Sequence, residues 1–287
     1  MTIKNIKKQR AFLKWAGGKY NLVEKITQLL PKRAETLVEP FVGAGSVFLN
    51  TNYKQYILND INPDLIGLYR HLQQRPELLI KECAKLYQSQ YNQADAYYAL
   101  RQDFNQETDT FRRAILFTYL NRHGYNGLCR YNSSGNYNVP FGRYVKPYFP
   151  EAEMYNFAEK AQNAVFTQID FQICMQQAPK GAVIYCDPPY VSLSDTANFT
   201  QYARAGFAYQ DQQRLAQTAA ELAHKGLNTV LISNHDTPVS RHLYQTANIR
   251  STKVSRVISQ KVENRRAVKE VLALYKVGSL HHPSKAL

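Results

Sequence analysis

The chain has 287 residues, 44% of them hydrophobic and 20% charged, which is the composition of a folded globular protein and excludes a disordered chain. Lys and Arg total 36 against 22 Asp and Glu, and the net charge of +14 favours a polyanionic partner, nucleic acid first. The four cysteines are too widely separated for a disulfide framework or a cysteine metal site, and no segment approaches the roughly 20 apolar residues of a membrane span. We expect a cytoplasmic protein that contacts no membrane.

Two apolar runs near the N-terminus predict neighbouring parallel strands. Residues 37–40 and 56–60 are separated by a glycine-bearing turn and a helix-length segment, which is typical of a βαβ unit. The turn at residues 41–45 lets the backbone approach a ligand closely, but Phe48 occupies the third glycine position of a dinucleotide-binding motif. Asp60, which ends the second run, is placed to accept hydrogen bonds from ribose hydroxyls. A tight turn without a ligand and a solvated Asp60 are the alternatives.

Residues 17–20 contain a Gly-Gly-Lys sequence that superficially matches a phosphate-binding loop. Leu13 stands where that loop needs its first glycine, and Tyr20 stands where it needs Ser or Thr. A nucleoside cofactor without phosphates therefore fits better.

Residues 63–150 interrupt the strand pattern and predict an inserted domain. Helical periodicity runs over residues 65–86, 94–104 and 111–122, the last behind possible caps at Asp109 and Thr110. Residues 124–142 are rich in Asn, Tyr and Gly and predict a β-hairpin with its turn at residues 133–136. Residues 1–62 and 151–287 then form the two parts of one sheet domain.

Strand patterns resume in the C-terminal half, at residues 165–170, 182–186, 228–233, 250–258 and 268–275. The helix before residue 228 has Asp211 as its predicted cap, an apolar face formed by Leu215, Ala219, Leu222 and Ala223, and Gly226 just past its end. The fold class is therefore α/β, a Rossmann-like doubly wound sheet with a helical and hairpin insertion. Residues 192–207 are either a lid or an ordinary surface loop, and residues 281–287 are a predicted loose tail.

Asp187-Pro188-Pro189-Tyr190 directly follows the apolar run at residues 182–186, at the strand end where open α/β sheets bind ligands. Two successive prolines stiffen the loop and hold its carbonyls outward. A flat substrate with an exocyclic amine, adenine being the obvious candidate, would donate protons to Asp187 and to a loop carbonyl while its face contacts Tyr190. A strand that ends in a Pro-Pro turn is the structural alternative.

Five separated motifs resemble, in order, those of the DNA adenine-N6 methyltransferases. They are Phe12-Leu13-Lys14-Trp15-Ala16-Gly17-Gly18-Lys19, Glu39-Pro40-Phe41-Val42-Gly43-Ala44-Gly45, Asn59-Asp60, Asp170-Phe171 and Asp187-Pro188-Pro189-Tyr190. Residues 121–132 and 139–143 of the insertion closely resemble the Dam-type enzymes of bacteria, which methylate adenine in GATC. His123 departs from that resemblance, because an aromatic Tyr is usual there.

The resemblance implies S-adenosyl-L-methionine as methyl donor, double-stranded DNA as substrate, and Asp187, Pro188, Pro189 and Tyr190 as the catalytic loop. The implied cofactor contacts are Trp15 and Asp170 at the adenine, Lys19 near the carboxylate, Glu39, Phe41 and Gly43 around the methionine moiety, Asp60 on the ribose, and Asp187. In the implied target-recognition domain, Tyr125 enters the base stack, Asn126, Leu128, Arg130 and Pro140 face the base pairs, Lys14 reads the first guanine, and Arg143 and Lys146 follow the DNA backbone. The alternative is a core position for Tyr125 and Leu128 and a solvated one for Arg130 and Lys14.

Three rival functions stay open at this point. The chain resembles adenine methyltransferases of restriction systems with a different target, and a catalytically silent DNA-binding module is a further reading. Enzymes that modify RNA or a protein amide commonly have Asn at the first loop position, so Asp187 disfavours them. We expect no metal and no obligate protein partner, and a location near the bacterial nucleoid or, for a phage protein, in the host cytoplasm.

Overall fold

The computed structural model describes residues 8–191, 207–254 and 268–278. Within these ranges seven strands form one sheet in the order β3-β2-β1-β4-β5-β7-β6. The strands are β1 (Thr36–Glu39), β2 (Gln55–Asn59), β3 (Ala164–Thr167), β4 (Val183–Cys186), β5 (Thr229–His235), β6 (Asn248–Val254) and β7 (Val268–Tyr275). β1 pairs in parallel with β2 and β4, β4 pairs in parallel with β5, and β7 is antiparallel to β5 and β6. The α/β fold class predicted from the sequence is confirmed.

The helices of the described ranges are α1 (Val23–Leu29), α2 (Ser46–Leu49), α3 (Pro63–Gln74), α4 (Pro76–Lys85), α5 (Ala94–Gln106), α6 (Thr110–His123), α7 (Glu151–Ala161), α8 (Phe171–Gln176), α9 (Tyr209–His224) and α10 (Pro238–Leu243). The chain divides into two compact units. The first unit consists of Met1–Tyr20, Gly43–Thr51 and Asn62–Gln168, and the second of Asn21–Val42, Asn52–Ile61 and Ile169–Leu287. No helix that the structure describes is long and apolar enough to cross a membrane.

The second unit is built around buried parallel strands. All four residues of β1 and of β4 are buried, as expected for strands whose two faces are both covered. α9 packs Leu215 and Ala219 into the same core as Ile184 and Val230. Burial of a Leu, Ile or Val side chain contributes about 1.5 to 3 kcal/mol to the stability of the fold. This core holds the carboxyl ends of β1, β2 and β4 in place.

The ends of α9 differ in part from the sequence prediction. Gly226 has a φ of +69° and follows the helix, so the predicted stop is confirmed. Asp211, predicted as the cap, instead lies in the first turn, where its carboxylate accepts a hydrogen bond from the Ala208 backbone N–H at 2.8 Å. The helix begins two residues earlier than Asp211 because that carboxylate reaches back to the entry of the helix.

The first unit contains the predicted helical insertion, with one correction. Residues 65–86, predicted as one periodic segment, form two helices, because Pro76 has no backbone N–H and disfavours a helical conformation at the residue before it. Arg75 accordingly has φ −142° and ψ 57°. α5 and α6 lie where the pattern predicted them, and Asp109 caps α6 by accepting from the Arg112 N–H at 2.6 Å.

Residues 124–142 fold back on themselves, but their pairing differs from a regular hairpin. In this fully described segment the arms meet through isolated bridges, Gly124 with Phe141 and Tyr131 with Tyr137. Side chains of α5 take the place of a neighbouring strand. Asn105 accepts from the Tyr137 N–H at 2.8 Å and donates to its carbonyl at 3.2 Å, and Arg101 donates to the Val139 carbonyl at 3.0 Å.

Candidate active site and nucleic-acid interface

Acidic side chains of the second unit follow the ends of neighbouring parallel strands. Glu39 ends β1 and is 2% exposed, Asp60 follows β2, and Asp187 follows β4. Asn59 stabilises this edge, because it donates to the carbonyls of Pro40 and Ile169 at 3.0 Å and accepts from the Ile169 N–H at 3.0 Å. The carboxyl edge of the sheet therefore presents several hydrogen-bond acceptors to a ligand.

Apolar and aromatic surface lies beside these acceptors in the second unit. Phe41 stacks on Phe171 with ring centroids 5.3 Å apart, and Phe207 meets Phe41 edge-on at 5.6 Å. Ile61, the residue after Asp60, is 72% exposed. The sequence analysis did not single out this exposed apolar side chain, which follows Asp60 at the carboxyl edge of the sheet.

Asp170 begins α8, where its Oδ1 accepts from the Gln172 N–H and from Arg214, both at 2.9 Å. The two interactions orient a carboxylate whose side chain is still 37% exposed. A carboxylate that is both oriented and accessible suits an amino group as ligand.

Two of the predicted cofactor residues of the first unit, Trp15 and Gly43, are in contact with each other. Trp15 packs against Gly43 so closely that a Cβ atom there would lie 2.9 Å from the indole nitrogen. Gly43 also has a φ of +47°, and its carbonyl accepts from the Tyr69 hydroxyl at 2.5 Å. Lys19 is buried, and its ammonium donates to the Gly17 carbonyl. Only glycine fits at position 43, for reasons of both space and backbone conformation.

The Asp187–Tyr190 loop is held by side chains that sequence reasoning did not single out. Ser233 donates to Asp187 Oδ1 at 2.9 Å, and Gln212 donates to the Pro189 carbonyl at 2.7 Å. Asn234 Oδ1 accepts from the backbone N–H of Val191 at 3.0 Å. Both Ser233 and Asn234 belong to β5. Ser233 ends the strand that was predicted at residues 228–233 and Asn234 directly follows it, but the strand pattern carried no functional signal.

Tyr190 is anchored at both ends of its ring. Its hydroxyl donates to Glu270 at 2.9 Å, and the His235 ring meets it edge-on with centroids 4.7 Å apart. Burial, together with the nearby negative charge of Asp187, raises the pKa of Tyr190 well above its ordinary value. The phenol therefore stays protonated and keeps its hydrogen bond throughout the working pH range.

Five of the predicted DNA-contact residues in the first unit are exposed, namely Asn126, Arg130, Pro140, Arg143 and Lys146, while Tyr125 and Leu128 are half-buried. The Arg130 side chain is oriented toward the opposite arm of residues 124–142. Its guanidinium donates to the Asn138 side chain at 2.7 Å and to the Asn138 carbonyl at 3.3 Å. Among the described residues, Asn126 and Arg143 are the non-glycine positions with positive φ, 52° and 54°. Such backbone strain clusters at binding sites.

Lys14 joins the N-terminal segment of the first unit to α6 and to the turn after it. Asn121 accepts from the Lys14 N–H at 2.9 Å and donates to the Lys14 carbonyl at 2.7 Å. The ammonium lies 3.7 Å from the centre of the Tyr144 ring, and a Cβ atom on Gly127 would come within 2.1 Å of Lys14 Cβ. Burial and the neighbouring Arg122 lower the pKa of Lys14 to about 8.

His123 lies inside the first unit. It is 1% exposed, its Nδ1 is 3.0 Å from the Tyr119 carbonyl, and its ring stacks on Tyr119 with centroids 4.1 Å apart. Burial lowers its pKa to about 4, so the imidazole is neutral at neutral pH. His123, where the resemblance predicted a Tyr, is therefore a core side chain of the first unit.

No group of three or more His, Cys, Asp or Glu side chains within the described ranges is arranged to hold a metal ion. Residues 192–206, which include most of the predicted lid or surface loop, lie outside the described residues, as do residues 281–287 and the end of the predicted strand at 250–258.

Comparisons with known proteins agree with the motifs. The chain is 55% identical to DNA adenine methylase of Escherichia coli K12 over 95% of its own length and 98% of that protein, and equally similar to DNA adenine methylase of Salmonella typhi. DNA adenine methylase of Vibrio cholerae is 52% identical over 94% of the chain and 97% of its own length. Among solved structures there is a distant likeness to precorrin 8w decarboxylase of Methanobacterium thermoautotrophicum, with a TM-score of 0.38 at 10% identity over 90% of each chain. Residues 15–258 match the D12 class N6 adenine-specific DNA methyltransferases, and the chain belongs to this family of enzymes.

Proposed function

We propose that this enzyme transfers a methyl group from S-adenosyl-L-methionine to N6 of adenine in GATC sites of double-stranded DNA, after the base leaves the helix. Family membership supports adenine in DNA as the substrate. The net charge of +14 suits a polyanion, and the recognition segment at residues 121–143 supports GATC over another target.

The acidic strand ends fit the donor groups of this cofactor. Its ribose hydroxyls and its ammonium group need hydrogen-bond acceptors, which Asp60 and Glu39 supply at adjacent strand ends. Phe41 is the proposed apolar contact of the methionine moiety, Ile61 offers apolar surface to the purine ring, and Asp170 offers a carboxylate to its amino group. Trp15, Lys19 and Gly43 of the first unit remain predicted cofactor contacts. When bound, the cofactor supplies an electrophilic methyl group on a sulfonium sulfur.

The Asp187 loop would bind the amine that receives the methyl group. One N–H of adenine N6 would donate to the Asp187 carboxylate and the other to the Pro188 carbonyl, which turns the nitrogen lone pair out of the ring plane. Tyr190 would contact the face of the extruded base. As the N–C bond forms, positive charge develops on N6, and the carboxylate stabilises that charge more in the transition state than in the neutral amine.

Recognition would come from the first unit. Lys14, Asn126, Leu128, Arg130 and Pro140 are the proposed base-pair contacts, and Tyr125 would fill the space left in the stack. The oriented guanidinium of Arg130 keeps further N–H donors for a guanine edge, because arginine carries five. Arg143 and Lys146 are the proposed contacts to the phosphates.

The observation that carries this proposal is the rigid presentation of Asp187 at the carboxyl edge of the sheet, fixed by the hydrogen bond from Ser233. A loop that merely ended a strand would need no such partner for its carboxylate. The fixed carboxylate fits a role in which it has to meet an amine in one orientation.

The test is a methyl-transfer assay with radiolabelled cofactor on two duplexes that differ only in one base pair of a GATC site. We expect rapid labelling of the GATC duplex alone, and an Asp187→Ala variant at least about 100-fold slower in the chemical step with cofactor and DNA still bound. Asp95→Ala, at an exposed position on α5, is the matched control and should transfer normally. Equal labelling of both duplexes would favour a different target, and near-normal turnover by Asp187→Ala would refute the assigned role.

A further inference from the structure

The Ser233 hydroxyl has three nearby partners in the second unit. It is 2.9 Å from the Tyr185 hydroxyl, 2.9 Å from Asp187 Oδ1 and, at a longer distance, 3.4 Å from the Cys186 carbonyl. Ser233 is fully buried, and Tyr185 is 1% exposed. The hydroxyls of Tyr185 and Ser233 therefore form a chain of hydrogen bonds that is shielded from water and ends at the carboxylate of the catalytic loop.

The direction of this chain follows from the number of protons. A serine hydroxyl has one proton, and an ionised carboxylate only accepts, so Ser233 donates to Asp187. The proton between Tyr185 and Ser233 then has to come from the tyrosine. Burial and the charge of Asp187 raise the pKa of Tyr185 well above its ordinary value, which keeps this phenol a donor.

Strand register explains why these residues meet. β4 and β5 run in parallel, with Tyr185 opposite Leu231 and Cys186 opposite Ile232. One residue further along, Asp187 comes opposite Ser233. Tyr185 and Asp187 are two positions apart, so their side chains leave the chain on the same face. The contact therefore follows from the register of β4 and β5, because Asp187 is the first residue after β4.

We propose that Ser233, supported by Tyr185, is a positioning residue that orients the Asp187 carboxylate for the adenine amine. An ionised carboxylate accepts about four hydrogen bonds, so the bond from Ser233 is compatible with one from the substrate. Methyl transfer is slower when the Asp187 carboxylate can rotate freely, because the reacting groups must be aligned closely. This inference rests on the catalytic role proposed for Asp187.

The experiment compares Ser233→Ala, Tyr185→Phe and Asp187→Ala in the full chain, with Ser240→Ala as the matched control. Ser240 is also a fully buried serine of the second unit, but its hydroxyl belongs to the cap of α10, where it accepts from the Thr237 N–H at 3.0 Å. Single-turnover methyl transfer on a GATC duplex reports the chemical step. Equilibrium binding of the duplex and of S-adenosyl-L-methionine, together with the Tm, reports folding and assembly.

We expect Ser233→Ala to slow the chemical step about 10- to 100-fold, the range for a lost hydrogen bond to a charged group, with both dissociation constants within about twofold of wild type. Tyr185→Phe should slow it less, because Ser233 keeps its own proton. Ser240→Ala should lower the Tm and leave the rate unchanged. A purely structural role would make the two serine variants alike.

Each failure has its own signature. If Ser233→Ala and Tyr185→Phe both transfer methyl at the wild-type rate while Asp187→Ala is impaired, the positioning role is wrong and the proposed function stands. If Asp187→Ala itself transfers normally, the proposed function is wrong. If Ser233→Ala does not fold, Tyr185→Phe decides, because it removes one buried oxygen without a change of shape.

Discussion

The proposed role of Lys14 is to contact a base, and its surroundings lower the pKa of its ammonium group. Asn121 is hydrogen-bonded to the backbone N–H and carbonyl of Lys14, the Lys14 side chain packs closely against Gly127, and its ammonium faces the Tyr144 ring. The same burial that orders the side chain lowers its pKa to about 8. Burial therefore orders the Lys14 side chain but also makes it easier for the ammonium group to lose its positive charge.

This lowered pKa predicts a pH dependence of DNA binding. Lys14 is charged below pH 8 and loses its proton as the pH rises through about 8, so affinity for a GATC duplex should fall between pH 7 and 9.5. Lys14→Arg should lose most of that pH dependence, because a guanidinium stays protonated throughout this range. Fluorescence anisotropy at constant ionic strength would measure it. An identical pH profile in the two proteins would mean that Lys14 does not contact the DNA as a cation.

At the scale of elements, the recognition segment depends on α5 more than on its own strand pairing. Asn105 forms two hydrogen bonds with the backbone of Tyr137, as a neighbouring strand would. Tyr97 and Arg101 both donate to the Val139 carbonyl at 3.0 Å. α5 therefore serves as the edge on which one arm of the segment lies.

We expect Asn105→Ala to leave two backbone groups without partners, at a cost of about 1 to 3 kcal/mol, and to loosen the segment. Hydrogen exchange at the Tyr137 amide should accelerate, and discrimination between GATC and a one-base variant should fall while the rate on GATC changes less. Gln102→Ala, at an exposed position on the same helix, is the control. Unchanged exchange at Tyr137 would show that α5 does not hold the arm.

The sequence predicted those elements whose causes are local. The runs that became β1, β2, β4 and β5 are apolar and bounded by turn residues, and the Asp109 cap and the Gly226 stop act within one turn of helix. The break between α3 and α4 also has a local cause, because Pro76 cannot continue the preceding helix. It was not predicted, because the apolar residues on both sides of Pro76 have helical periodicity.

What the sequence did not predict depends on residues far apart in the chain. Ser233 meets Asp187 through the register of two strands that are 46 residues apart, and Asn105 meets Tyr137 across 32 residues. Neither contact leaves a periodic or compositional trace. The motifs predicted which residues carry the chemistry, while the residues that orient them became visible only when strand register and helix packing were known.

At the scale of the whole molecule, the net charge of +14 should make DNA binding strongly dependent on salt. Lys146 is exposed and follows the recognition segment by three residues. Lys146→Ala should weaken binding equally on all sequences and reduce the slope of log K against log salt by about one. Lys85→Ala, whose ammonium pairs with Glu82 at 2.7 Å on α4, should leave the slope unchanged. A sequence-dependent loss at Lys146 would instead assign it to a base.

Each unit is assembled from three stretches of chain that alternate along the sequence. A chimera that exchanges target preference between relatives thus cannot be made by joining two gene halves. Asn62–Gln168 is one uninterrupted stretch that could be grafted as a unit. However, Asn121 within this stretch forms two hydrogen bonds with the backbone of Lys14, which lies outside it. Recombination that transfers Asn62–Gln168 also has to transfer a compatible Met1–Tyr20 segment, which contains Lys14. We therefore expect these two parts of the gene to be inherited together.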